Sequence, residues 1–343
     1  MKILVIQKKR IGDVLVSTII LEALREKFTD AELHYLVYPM SLAVVENSPF
    51  IDKFIVLDNK TKKSVFKMIG FLFSLRKEKY NIVIDAYGKP NSVLMGWFSG
   101  AKKTITFDKK YSRVLYSDVV IRRGKPITNA TLAIEHRMQL LEPLGIEFKE
   151  YKPKIFLKET EIADARNYLS KNGINLDVPI VMISAIGSKE TKTFPLHYMA
   201  KVLDKVATKN VQILMNYIPF QKELAHELFN LCESKTQAKI FMKIYENDLR
   251  KFIAITSQCK ALIGNEGGAT HMAKALNVPT FIIFAIGVEK DGWSIYENQT
   301  TDVAVSINDY FDEVNESFET LTEKYKPELF QDKLQKFIDF NIL

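Results

Sequence analysis

Short apolar runs alternate with amphipathic stretches along almost the whole chain, and this alternation restricts the fold more than any other feature. Runs such as Ile3-Leu4-Val5-Ile6 and Ile180-Val181-Met182-Ile183 have no polar face, which suits strands covered on both sides. Strands are expected near 2–7, 33–37, 54–57, 81–85 and 103–106, with helices near 13–28, 62–78, 91–99 and 131–144. A second series places strands near 180–184, 211–215, 239–242, 261–264, 280–284 and 302–305. Helices near 196–208, 220–233, 247–257 and 268–276 alternate with them, and two polar helices near 308–319 and 327–339 follow. Repeated βα units of this length imply parallel sheets with helices on both faces. Two series imply two doubly wound domains, expected at 1–165 and 175–320 with a terminal helix in 321–343.

The 343-residue length exceeds one ordinary domain, and 47% hydrophobic with 26% charged residues describes a globular chain with a sizeable core. No apolar run reaches the length of a membrane span, and Met1-Lys2-Ile3 enters strand-like sequence without a signal-peptide pattern. Cys232 and Cys259 both lie in apolar helical patterns, as reduced core thiols of a cytoplasmic protein would. Charge is uneven: residues 1–160 hold 28 Lys+Arg against 17 Asp+Glu, a net of +11, whereas 161–343 hold 20 against 24, a net of −4. A basic half suggests contact with a polyanion or an anionic surface. No helix-turn-helix, zinc or RNA-binding signature accompanies the charge, so nucleic acid is not expected. A phosphorylated acceptor at an anionic membrane face accounts for the asymmetry. Lys60, Lys62, Lys63, Lys67, Arg76, Lys77 and Lys79 flank apolar Phe66, Ile69, Phe71, Leu72 and Phe73. The stretch reads as a crossover helix with basic ends, the alternative being an interfacial helix on anionic lipid.

Three segments carry chemistry. Arg10-Ile11-Gly12-Asp13-Val14 follows the first strand, so its glycine turns the chain and its carboxylate stands at a helix N-terminus on the rim where open parallel sheets bind ligands. On these residues alone Asp13 is a helix cap or a base, and caps are commoner. Gly264-Asn265-Glu266-Gly267-Gly268-Ala269-Thr270-His271 ends another strand, and two glycines opening a helix let an anion reach free N–H groups, as suits a phosphate or diphosphate. The segment is neither GxGxxG nor GxxxxGK[ST], which argues against ordinary dehydrogenases and P-loop enzymes. Upstream, Gly187-Ser188-Lys189-Glu190-Thr191-Lys192-Thr193-Phe194-Pro195 offers hydroxyls from Ser188 and Thr191 and a point charge from Lys192. Lys89, Asn91, Ser92, Arg113, Arg122 and Arg123 are further anion-contact candidates. There is no Asp-x-Asp, and the five His do not cluster at ligand spacings with Cys, so no metal is expected.

The chain resembles glycosyltransferase family 9, the ADP-heptose:lipopolysaccharide heptosyltransferases. The resemblance rests on Arg10-Ile11-Gly12-Asp13-Val14-Leu15-Val16-Ser17-Thr18, Asn47-Ser48-Pro49-Phe50-Ile51-Asp52, Tyr80-Asn81-Ile82-Val83-Ile84-Asp85 and Leu140-Leu141-Glu142-Pro143-Leu144-Gly145-Ile146. Lys192-Thr193-Phe194-Pro195 resembles the family's Lys-x-aromatic-Pro turn, and Glu266-Gly267-Gly268-Ala269-Thr270-His271 its Asp-Thr-Gly-x-x-His signature. Three departures stand out: Glu266 replaces Asp, Gly267 replaces Thr, and Phe194 stands where Trp is common.

The resemblance implies a GT-B fold, two Rossmann-like domains facing across a cleft, with the acceptor on the N-terminal domain, the nucleotide sugar on the C-terminal domain, and the terminal helix crossing back to the first. It implies an inverting glycosyltransferase that moves heptose from ADP-heptose onto a lipopolysaccharide inner-core or related glycolipid, with Asp13 as general base. Ser188, Lys192 and the N–H groups of Gly267, Gly268 and Ala269 would neutralise the departing diphosphate. Glu266 would contact the donor sugar, His271 a phosphate, and Glu223 or Gln221 the ribose. Arg10, Gly12 and Lys89 would meet the acceptor. No resident cofactor follows, only the nucleotide sugar as substrate, and the location implied is cytoplasmic, at the inner face of the cytoplasmic membrane. Two alternatives keep the fold: a catalytically idle protein binding anionic glycolipid or nucleic acid, and a nucleotide-sugar epimerase.

Overall fold

The computed structural model describes residues 1–311 and 316–342. The chain forms two compact units, Met1–Phe156 and Leu157–Leu343. In the first, strands β1 (Lys2–Ile6), β2 (Glu32–Val37), β3 (Lys53–Val56), β4 (Ile82–Asp85), β5 (Lys103–Phe107) and β6 (Asp118–Val120) form one parallel sheet. Its order is β3-β2-β1-β4-β5-β6. Central β1 pairs with both neighbours, Ile3 with Leu33 on one side and Ile82 on the other, so Ile3, Leu4, Val5 and Ile6 are wholly buried. That position explains a strand with no polar face. The chain builds outward from β1 through β2 to β3, then returns to β4 on the other side, which makes the β1/β4 carboxyl ends the topological switch point.

The second unit repeats the plan. Strands β7 (Ile180–Ser184), β8 (Gln212–Asn216), β9 (Ala261–Asn265), β10 (Thr280–Ile283) and β11 (Asp302–Val305) run parallel in the order β11-β10-β9-β7-β8. The switch falls between β7 and β9, so the two phosphate-competent loops leave adjacent strands. Gly264 has φ 135, and a Cβ there would come within 2.3 Å of the Ser184 carbonyl oxygen, so only glycine lets β9 lie this close to β7.

Several expectations need correction. The strand expected near 239–242 is a single bridge from Ile240 to Ile213, preceded by a helical turn, Ser234–Gln237. The helix near 13–28 divides at Ser17 into Ile11–Val16 and Thr18–Lys27. The helix begun at Thr131 ends at Gln139, and Pro143 sits in a separate 3₁₀ turn, Glu142–Leu144. A helix fills Glu159–Lys171, where the inter-domain join was anticipated. It belongs to the second unit, since Arg250 donates to both Glu161 carboxylate oxygens at 2.6 and 2.9 Å. Of the helix anticipated at 308–319, Ile307–Asp309 is a 3₁₀ turn and a helix starts at Phe318, while residues 312–315 lie outside the described residues. The terminal helix Gln331–Asn341 buries Leu334, Phe337 and Ile338 in the second unit's core with Phe281 and Phe330.

Candidate active site

Each unit carries candidate site residues at its own switch point. In the first, β1 leads through Arg10 (φ 64) into helix Ile11–Val16, whose first turn holds Gly12 and Asp13. A positive φ on a bulky residue stores strain, so the turn is held by its surroundings rather than by local preference. Arg137, from helix Thr131–Gln139, supplies much of that hold. It donates to Asp13 Oδ1 at 2.8 Å, to Ser17 Oγ at 3.0 Å and to the Ala133 carbonyl at 2.7 Å. The Tyr35 hydroxyl donates to the Val14 carbonyl at 2.7 Å, and burial pushes that phenol far above its ordinary range. Among the described residues no backbone N–H donates to the Asp13 carboxylate, so it makes no capping bond to its helix. Among the described residues its Oδ2 accepts from no protein donor.

Besides Arg137, Arg122 interacts electrostatically with this carboxylate. The Arg122 guanidinium stacks 3.8 Å from the Phe107 ring centroid, and burial together with nearby Arg137 lowers its proton affinity. Arg113 and Arg123 are committed to Asp108 and Glu142. Lys89 presents an exposed side chain at the start of helix Pro90–Phe98, its backbone fixed by Ser92 Oγ, which accepts from Lys89 N at 3.1 Å and donates to its carbonyl at 2.9 Å. Ser92 is therefore a buried cap.

Beneath the rim lies a pair that sequence reasoning missed. Lys8 is fully buried, with Nζ 3.5 Å from Met95 Sδ and 5.6 Å from the Tyr87 ring centroid. Burial pushes its ammonium down to about 8 against the pull of Asp85. Asp85 is buried too; its Oδ1 accepts from the N–H groups of Tyr87 and Gly88 at 3.1 and 2.9 Å, while Oδ2 has no partner among the described residues. Burial raises this carboxyl to about 6, partly offset by those bonds and by Lys8.

In the second unit, β9 ends at buried Asn265, whose amide ties the two loops together. It donates to the carbonyls of Ser184 and Ala185 at 3.1 and 2.8 Å and accepts from Phe194 N at 2.7 Å. Glu266 follows, its carboxylate 3.3 Å from His271 Nε2, and His271 Nδ1 is buried with no hydrogen-bond partner among the described residues. Helix Gly268–Ala275 then begins, with Thr270 Oγ1 accepting from Gly267 N at 3.2 Å. Among the described residues the N–H groups of Gly268 and Ala269 meet no protein acceptor. A Cβ built on Gly267 or Gly268 would touch nothing within 4 Å, so the space over these amides is open.

The β7 loop curls tightly. A Cβ on Gly187 would come within 2.0 Å of the Lys192 carbonyl oxygen, and Thr193 Oγ1 accepts from Gly187 N at 3.0 Å. Phe194 is buried against Tyr198, Tyr325 and Phe330, anchoring the loop in the core. A cavity of about 600 Å³ opens here, lined among others by Ser188, Thr191, Phe220, Gln221, Leu224 and Ile286. Its walls do not include Glu266 to Ala269, which stand at the next strand end, nor Lys192, whose ammonium has no ion-pair partner among the described residues. Gln221 is spent structurally: it donates to the Gly187 carbonyl at 2.8 Å and accepts from Ile218 N at 3.1 Å. Glu223 is exposed in a neighbouring shallow depression, and Glu227, one turn on, lines the cavity itself. Among the described residues, no three His, Cys, Asp or Glu side chains are grouped to hold a metal, and no helix is long and apolar enough to cross a membrane.

Residues 69–319 match the model of glycosyltransferase family 9 (heptosyltransferase). The lipopolysaccharide heptosyltransferase 1 of Campylobacter coli is 27% identical over 302 residues, covering 83% of this chain and 84% of that protein. The solved structure of a family 9 glycosyl transferase from Veillonella parvula superposes with a TM-score of 0.80 at 18% identity, covering 97% of each chain. The ADP-heptose lipopolysaccharide heptosyltransferase II of Escherichia coli gives 0.75 at 15% identity over 98% of each. These likenesses show the GT-B fold class, two doubly wound parallel sheets in one chain. With a family match over well more than half its length, the chain belongs to glycosyltransferase family 9 and is a glycosyltransferase.

Proposed function

We propose that the protein transfers heptose from ADP-heptose, with inversion, to a lipopolysaccharide inner-core or related glycolipid acceptor on the cytoplasmic side of the membrane. The observation that carries this reading is Asp13: a carboxylate gripped through Oδ1 by Arg137, with Oδ2 uncommitted, at the carboxyl end of β1. Asp13 Oδ2 takes the proton of the acceptor hydroxyl as that oxygen attacks the anomeric carbon, and the bond from that carbon to the diphosphate oxygen breaks to release ADP. The amides of Gly268 and Ala269 accept the growing negative charge, with Lys192 as a mobile cation and Ser188 as a hydroxyl donor. Phe220, Leu224 and Ile286 give the neighbouring cavity the apolar lining that suits a nucleobase, and Glu223 reaches the ribose from the rim. Glu266 meets the sugar, one methylene longer than the family Asp. Arg10 and Lys89, with the backbone at Gly12, meet the anionic acceptor, joined by stacked Arg122. No metal is needed in this scheme.

The test is Asp13→Asn, an isosteric change. Transfer should fall by roughly 10²–10⁴-fold with ADP affinity unaltered, the span typical of a lost general base. Near-normal turnover would refute the base assignment. Calorimetric titration with ADP-, UDP-, GDP- and CMP-linked sugars checks the donor, and tighter binding of a non-adenine sugar would overturn the choice of ADP-heptose.

A further inference from the structure

Helix Val65–Lys77 connects β3 to β4, and its inward stripe of Met68, Phe71, Leu72 and Leu75 packs on the core. On an ordinary crossover helix the opposite stripe is polar. Here it is Phe66, Ile69 and Phe73, which are 87%, 45% and 52% exposed, beside Val65 at 73%. Adjacent helix Pro90–Phe98 adds Leu94 and Trp97, 45% and 50% exposed. The two helices meet through an edge-on Phe73–Phe98 contact at 5.3 Å, and Arg76 donates to the Phe98 carbonyl at 3.3 Å. An apolar strip spanning two helices is more than scattered surface hydrophobes.

Every charge on this helix and its lead-in is positive. Residues 59–77 contain Lys60, Lys62, Lys63, Lys67, Arg76 and Lys77 and no Asp or Glu. The acids at either end are already engaged: Asp58 accepts from Thr61 N at 2.6 Å, and Glu78 bridges Lys2 and Lys53 at 3.0 and 2.6 Å. Among the described residues Lys60, Lys63, Lys67 and Lys77 form no ion pair with a carboxylate, Lys67 acting on Asp58 only at longer range. We propose that this face docks on an anionic lipid bilayer, Phe66, Ile69, Phe73 and Trp97 entering the interface and the lysines meeting headgroup phosphates. Charge decides for lipid over a second copy: a two-fold contact would set this cationic border against itself. Lysine stems cover apolar surface while their heads stay in the headgroup layer, and tryptophan favours the same depth. None of the side chains named for this surface is one assigned to transfer, although Lys89 caps the helix that carries Leu94 and Trp97, so the inference does not depend on the heptosyl reading.

The experiment is co-sedimentation of the full chain, without donor or acceptor, with vesicles of phosphatidylglycerol mixed with phosphatidylcholine and with phosphatidylcholine alone. Binding should require phosphatidylglycerol and weaken as salt rises. Phe66→Ser with Ile69→Ser should reduce partitioning at least about tenfold, and each of Lys60→Gln, Lys63→Gln and Lys67→Gln about fivefold. All these side chains are exposed, so thermal unfolding should stay as in the parent. Absence of phosphatidylglycerol-dependent binding, or variants that bind like the parent, would overturn the proposal. So would self-association in solution that the Phe66/Ile69 variant abolishes, since the face would then be a contact between copies.

Discussion

Gly268→Ala separates what the second unit needs for folding from what it needs for a ligand. A Cβ at Gly268 would meet no heavy atom within 4 Å, and the residue opens helix Gly268–Ala275 without a left-handed backbone. Alanine is favoured over glycine in helix interiors by about 1 kcal/mol, so in a first turn a gain of about 0.5 kcal/mol is reasonable. The unliganded protein should therefore unfold at the same temperature or slightly higher. A diphosphate is affected differently. To bond the Gly268 and Ala269 amides, its oxygens must come within about 2.9 Å of those nitrogens, and the added methyl takes up part of the open space they use. Losing one charge-assisted bond costs about 1.5–3 kcal/mol, or roughly 10- to 150-fold in affinity. Calorimetry with ADP, paired with thermal denaturation, reads both quantities on one preparation. A folded Gly268→Ala protein that binds ADP as tightly as the parent would refute the anion cradle, and a strongly destabilised one would show that the glycine serves packing.

Asn265→Ala should act in the opposite sense. It removes three buried bonds and leaves Phe194 N without its acceptor, a loss of about 3 kcal/mol at the β7 and β9 ends. Hydrogen exchange should show lost protection at Phe194 with the first unit unchanged, and retained protection would mean that Asn265 is not the tie. Asp85 predicts a pH dependence. Its carboxyl is raised to about 6 by burial, above its ordinary 3.8, so the native state binds the extra proton. Its contribution to stability is therefore fully present below 3.8 and is lost as pH climbs through 6, by roughly 3 kcal/mol. In Asp85→Asn that loss should vanish, so denaturant titrations should show the variant gaining on the parent across this window. Parallel curves would refute the assignment.

The strands that carry the site were legible because each is central in its sheet and so shows no polar face, as β1 and β7 do. The position of Asp13 followed from the same pattern, a strand ending in Gly-Asp before a helix. Its partner was not legible: Arg137 lies 124 residues away, inside a helix where Glu135, His136 and Arg137 read as an ordinary polar turn. Lys8 was hidden differently. In Gln7-Lys8-Lys9-Arg10 it reads as part of a solvated basic run, and only the return of β4 and helix Pro90–Phe98 covers it with Tyr87 and Met95. Local pattern also overcalled order at 239–242, where an apolar run has a strand's composition but meets its neighbour at one bridge. The structural role of Gln221 was not legible either, because only the folded loop shows its amide donating to the Gly187 carbonyl.

The placement of helix Gln331–Asn341 bears on how the molecule is made. The first unit is one uninterrupted stretch of chain with every strand of its sheet supplied by residue 120, so it can assemble while the rest is still being translated. The second cannot: Phe337 and Ile338 fill the space against Phe281, so its interior stays open until a ribosome has passed those codons. Premature termination shortly before them would release a chain with a finished first half and a gaping, sticky second one, the kind of product that cellular quality control removes.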